Sequence, residues 1–89
     1  MFGRGRARRR AQLTPQVVAI VRGMLEQKGM AVDFELSDPL STAGIGLDSM
    51  DILELLRAVE SECGVKIPDR HWGTTPPGTI DDILDIIAR

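Results

Sequence analysis

Residues 44–50 read Gly44-Ile45-Gly46-Leu47-Asp48-Ser49-Met50, and the other segments are best understood outward from them. A loop loosened by two glycines ends in an Asp-Ser pair. An amphipathic segment then runs through Cys63. Asp48 suits the N-cap of a helix, because its carboxylate can accept from the free N–H groups of the first turn. Ser49 then takes the first helical position, with its hydroxyl at the positive end of the helix dipole. A phosphate attached there would find N–H donors ready for it. Ser49 is therefore read as a site for a phosphate-linked group.

The pattern on either side is helical. From Ser49 to Cys63, Ile52, Leu55, Leu56, Val59 and Cys63 gather on one side at 100° per residue. Asp51, Glu54, Arg57, Ser61 and Glu62 lie on or near the other. Met50 and Leu53 fall towards the polar side, and apolar residues flanked by acids mark a contact surface. Gly64 stops the helix and Pro68 follows it. Upstream, Thr14 is a candidate N-cap and Pro15 fits the first helical position. Val17, Val18, Ile20, Val21, Met24 and Leu25 then supply apolar spacings of three and four. Gly29 is the expected stop, with Lys28 favourable in the last turn. Residues 30–48 form a long connection, and Phe34, Leu36, Leu40, Ile45 and Leu47 give it side chains to pack. One short turn is expected near Asp69 to Trp72, and Thr74-Thr75-Pro76-Pro77-Gly78 then breaks regular structure. The last helix starts at Thr79, with Asp82 completing a capping-box variant and Ile80, Ile83, Leu84, Ile86 and Ile87 on its apolar face. The expected class is all-α: a small four-helix bundle of three main helices and one short one.

Composition agrees. The chain has 89 residues, enough for one small domain. Aromatics make up only 3%, so the core must be aliphatic. Residues 1–12 hold five of the 11 Lys+Arg and no acid. They are read as a flexible Arg-rich arm, with the domain proper over residues 13–89. That body carries six basic residues against all 13 acids, a formal charge of −7. An acidic body argues against nucleic acid as the main partner and for basic partner surfaces. One cysteine allows no internal disulfide. No apolar run approaches a membrane span, and no secretory signal is recognisable. The expectation is a cytoplasmic monomer without membrane association.

The usual catalytic constellations are missing. His71 has no partners at metal-ligand spacing, so no metal site is expected. Cys63 lies on an apolar helix face, where an inert buried thiol is the simpler reading. Gly44-x-Gly46 is too short for a nucleotide loop. A DNA-reading helix would want basic residues, whereas Ser49 to Cys63 is acidic.

The Gly46-Leu47-Asp48-Ser49-Met50 run resembles the acyl carrier protein family, which includes the peptidyl carriers. Glu54-Leu55 follows it at the family's spacing, and Glu60 precedes Gly64-Val65-Lys66-Ile67-Pro68. The resemblance covers about residues 14–89. It implies that Ser49 carries 4′-phosphopantetheine from coenzyme A through a phosphodiester, and that acyl intermediates ride on the terminal thiol as thioesters. A separate magnesium-dependent phosphopantetheinyl transferase makes that bond in the family, so the chain is expected to be a carrier and not an enzyme. The further implied partners are acyl-loading, condensing or modifying enzymes with basic docking surfaces. Carried over, the contact set is Asp48, Met50, Asp51, Leu53, Glu54 and Glu60. Acids in that set would steer basic partners, with Met50 and Leu53 as apolar anchors.

Departures from the fatty-acid carriers are also visible. Arg57 faces outward where those carriers show an apolar residue. Arg70-His71-Trp72-Gly73 and Pro76-Pro77 replace their acid-rich third helix. These changes favour a dedicated carrier, of polyketide or related secondary metabolism. A peptidyl or aminoacyl carrier stays open as an alternative, as does an unmodified interaction module. Leu47 leans towards the acyl side, since peptidyl carriers more often show Gly-Gly there. Trp72 is read either as a plug for the core or as a surface for the arm and its cargo.

Overall fold

The computed structural model describes residues 2–73 and 76–89, and all of their side chains except those at positions 2, 3, 4 and 6. It contains three α-helices: α1 (Phe2–Gln27), α2 (Ser49–Cys63) and α3 (Ile80–Ile87). A single 3-10 turn, Asp69–Trp72, lies between α2 and α3. The all-α class holds, and no strand forms among the described residues. Where a short fourth helix was expected, the described residues hold this one 3-10 turn and three α-helices. Thr74 and Thr75, where regular structure was expected to break, lie outside the described residues.

The core is aliphatic. Leu13, Val17, Val21 and Leu25 recur every four residues along α1 and are buried. Leu55, Leu56 and Val59 of α2 and Ile80, Ile83, Leu84 and Ile87 of α3 close on them. Nine fully buried Leu and Ile side chains among the described residues, at about 2 kcal/mol each, would supply most of the drive to fold. α1 packs against both other helices.

The start of α1 corrects the sequence reading. The helix begins at Phe2 and not at Thr14, so residues 2–12 are helical, and Pro15 lies inside it. Thr14 does not cap. Its hydroxyl donates to the Arg10 carbonyl at 2.7 Å, one turn back within the helix. Pro15 has no N–H to offer the helix, and it biases the residue before it away from α geometry. Tertiary contacts override that local bias. Leu13 is buried on the N-terminal side of the proline. Arg10 reaches α3, where its guanidinium binds the carboxylates of Asp81 and, at 2.6 Å, Asp85. It also donates to the Asp81 carbonyl at 3.4 Å.

The far end of α1 follows expectation. Gly29 takes φ 70°, the left-handed conformation that glycine adopts without steric cost. Met30 N–H donates to Leu25 O at 2.9 Å and Gly29 N–H to Glu26 O at 3.1 Å. These are the two bonds of a Schellman stop.

The long connection then folds onto the core. Leu40, Ile45 and Leu47 are buried, and Phe34 and Leu36 are half-buried against the same cluster. Ile45 N–H donates to Pro39 O at 2.7 Å and Leu47 N–H to Leu40 O at 2.8 Å, closing a loop on itself. Gly44 lies so close to Pro39 that a Cβ there would meet its Cδ at 2.8 Å. Leu40 N–H donates to Gly78 O, and Asp81 N–H to Leu36 O. The loop is thus bonded to the start of α3, and it delivers the chain to Asp48 in a fixed direction.

Candidate functional site

Asp48 ends this loop in extended backbone, φ −86° and ψ 179°, as an N-cap requires. Its Oδ1 accepts from Asp51 N–H at 2.9 Å. Asp51 Oδ2 accepts in return from Asp48 N–H at 3.1 Å. The result is a capping box with Asp at both positions. Ser49 stands inside the box as the first residue of α2 and is exposed. Its backbone N–H and that of Met50 lie before the intrahelical ladder begins.

A second interaction converges on this turn from α1. Lys28 Nζ lies 2.9 Å from Asp51 Oδ2, the same oxygen that accepts from Asp48. The ammonium and the Asp48 N–H hold the Asp51 carboxyl below its usual range. Asp51 in turn pushes the Lys28 pKa up. The Asp51 side chain is only 14% exposed.

The remaining residues of the expected contact set divide into three groups. Asp48 and Glu54 are exposed, and Met50 is 72% exposed. Leu53 is half-buried. Glu60 takes part in the fold: its Oε2 accepts from Ile67 N–H at 2.7 Å and ties the segment after α2 back onto that helix. Asp51 is likewise committed, to Lys28 and to the cap. Of the four acids in the set, Asp48 and Glu54 are the exposed ones, and Asp48 also serves the cap.

Beside Ser49 lies an apolar cavity of about 210 Å³. Ile52, Leu53 and Leu56 of α2 form one side, and Trp72, Gly73 and Pro76 another, with His71 nearby. Trp72 is held in place by its indole N–H, which donates to Ile67 O at 3.1 Å. It is partly buried against the core. Trp72 thus packs on the core, as the first of its two sequence readings has it, and it also lines the space next to Ser49. Cys63 is half-buried with its thiol pKa raised by burial, the behaviour of an inert thiol.

This arrangement fits a phosphate-linked group. The Ser49 hydroxyl is exposed at the positive end of a 15-residue helix and makes no hydrogen bond with the described residues. The apolar space begins at the same residue. A family model described as the phosphopantetheine attachment site matches residues 15–71. The chain belongs to that family. Its members are carrier domains that hold 4′-phosphopantetheine, are not themselves catalytic, and work with a phosphopantetheinyl transferase and partner enzymes. No solved structure matches the chain. Among the described residues, no group of His, Cys, Asp and Glu could hold a metal ion. No described helix is long and apolar enough to cross a membrane.

Two contributors to the site were not singled out from the sequence. Lys28 was expected only to favour the end of α1. Pro76 was expected only to break structure. Neither role has a local signal, because each depends on how distant segments cross.

Proposed function

We propose that this is an acyl carrier protein and that Ser49 is the residue bearing 4′-phosphopantetheine. The observation that carries the assignment is the exposed Ser49 hydroxyl inside the Asp48–Asp51 box, at the start of α2. During modification, Ser49 Oγ attacks the β-phosphorus of coenzyme A and loses its proton. The adenosine bisphosphate leaves from that phosphorus. The transferase supplies the chemistry, and this chain supplies a rigid, exposed nucleophile. Once attached, the group provides a long flexible arm ending in a thiol that can hold a cargo as a thioester.

The lining of the cavity beside Ser49 supports an acyl over an aminoacyl cargo. Ile52, Leu53 and Leu56 offer a chain of methylenes an apolar surface, and the lining contains no carboxylate to pair with an ammonium group. Dedicated polyketide or related metabolism remains the pathway that the Arg57 and Arg70-His71-Trp72 departures favour. The four-helix arrangement, with the 3-10 turn as its short member, belongs to the same reading. On the docking side, Asp48 and Glu54 would steer a basic partner and Met50 would anchor it, with Leu53 at the edge of the cavity. Asp51 and Glu60 would support that surface from below.

Intact-mass measurement tests the assignment. Purified protein is incubated with coenzyme A, magnesium and a broad-specificity phosphopantetheinyl transferase. One pantetheine addition is expected in the wild type and none in Ser49→Ala. An unchanged wild-type mass with several transferases would refute it and leave an unmodified interaction module.

A further inference from the structure

We propose that Lys28 is a positioning residue for Ser49: its ammonium, brought over from the end of α1, locks the Asp48–Asp51 box that sets the first turn of α2. The inference rests on the reading of Ser49 as the modified residue and adds a residue remote from it in sequence.

The geometry begins with the stop of α1. The Schellman bonds at Gly29 and Met30 fix Lys28 as the last residue before the chain turns. From there its Nζ meets Asp51 Oδ2 at 2.9 Å. That oxygen already accepts from Asp48 N–H, so one carboxylate oxygen joins two helices and the cap between them. The other half of the box, Asp51 N–H on Asp48 Oδ1, closes the ring around Ser49. An Asp at this position has a shorter stem than the Glu or Gln usual in a capping box. Without a third group, its carboxylate is free to rotate out towards water. The Lys28 ammonium opposes that rotation, and its bond is charge-assisted on both sides.

The pairing also affects recognition. Lys28 neutralises Asp51 on the face that would meet a partner, so the steering charge there falls to the other acids of the set, Asp48, Glu54 and Glu60. Replacing Lys28 should therefore have opposite effects on the two stages of modification. Docking to a basic partner should hold or improve, because a positive charge is gone and Asp51 is released. Reaction of the docked complex should slow, because the turn holding Ser49 Oγ is looser, and small misplacements of a reacting atom are costly.

The test compares wild type, Lys28→Met and Lys28→Arg in two measurements. The first is amide hydrogen exchange in the unmodified protein. Exchange at Asp48 and Asp51 should rise about threefold in Lys28→Met, the scale of losing one exposed ion pair. It should return in Lys28→Arg, while the buried amides of Leu55 and Leu56 stay as in the wild type. The second is transferase kinetics with the carrier as varied substrate. Here kcat should fall at least about threefold in Lys28→Met, with KM equal or lower, and Lys28→Arg should restore it. Unchanged exchange at Asp48 and Asp51, a change in KM alone, failure of Arg to restore, or a uniform rise in exchange across α2 would each overturn the proposal. If the wild type is not modified at all, the Ser49 assignment fails, and the exchange data alone decide the role of Lys28.

Discussion

Removing the Asp48 carboxylate should separate the cap of α2 from its charge. In Asp48→Ala, the Asp51 N–H loses the acceptor it now has at 2.9 Å. This donor is near the surface, so water can replace the lost partner and no buried polar group is stranded. The cost is then that of an N-cap, about 1 kcal/mol. With an unfolding entropy of about 2.1 cal/mol/K per residue, a domain of this length has a total near 0.19 kcal/mol/K. A 1 kcal/mol loss should therefore lower Tm by about 5 °C. Asp48→Asn keeps an acceptor oxygen of similar reach and removes the charge, so its Tm should stay within about 1–2 °C of wild type. Ser49→Ala should do the same, because the Ser49 hydroxyl makes no bond with the described residues. Thermal melts followed by far-UV circular dichroism at pH 7 would measure all three. If Asp48→Asn melts as early as Asp48→Ala, the carboxylate acts through its charge on the helix dipole, and the hydrogen-bond argument is wrong.

Two further outcomes follow from the ion pairs. Arg10→Ala removes the described side-chain links between the N-terminal part of α1 and α3, so residues 2–12 should lose helical signal and the domain should melt earlier in low salt. The difference from wild type should shrink as salt approaches 1 M, where screening has already weakened the pairs; a gap independent of salt would point to packing instead. Asp51 should make stability pH-dependent in a defined direction. Its carboxyl is held below the usual value of 3.8 in the folded state, so the unfolded chain binds the proton first. The Tm gap between wild type and Asp51→Asn should be constant from pH 5 to 8 and should close as pH falls below about 4 through the depressed value. A gap that widens on acidification would contradict the Lys28–Asp51 pairing.

The elements that the sequence disclosed are those whose signals are local. Asp48, Gly29, Gly64 and Thr79 each mark a helix end by a conformation or an acceptor that only a few residue types provide, and all four stand where they were read. Asp82 was nearly right: its carboxylate accepts from Gly78 N–H, one residue short of the Thr79 N–H that a regular box would use. The first helix was misjudged because Thr14-Pro15 is a strong local start signal. What extends the helix backward is Arg10 meeting two acids more than 70 positions away. Lys28 and Pro76 carry no local signal for the same reason, nor does the hydrogen bond of Glu60 to Ile67. Charge patterning suggests which residues are acids on a surface, but not which of those acids the fold has already taken.

That distinction changes the candidate docking face. Read from helical spacing, Asp48, Asp51, Glu54 and Glu60 form a continuous acidic stripe along α2. In the folded chain, Asp51 is held by Lys28, Glu60 by the Ile67 N–H and Asp48 by the Asp51 N–H, so Glu54 is the one acid of the four without a described side-chain hydrogen bond or ion pair. Each supported acid also does something the stripe reading cannot. Asp51 fixes the turn that presents Ser49. Glu60 fixes Ile67, whose carbonyl holds the Trp72 indole against the cavity. The residues that would attract a partner, the residue that would be modified and the surface that would meet the cargo are therefore joined through α2 by a short series of hydrogen bonds. A substitution at either supported acid should disturb the presentation of Ser49 or the cavity before it disturbs electrostatic steering.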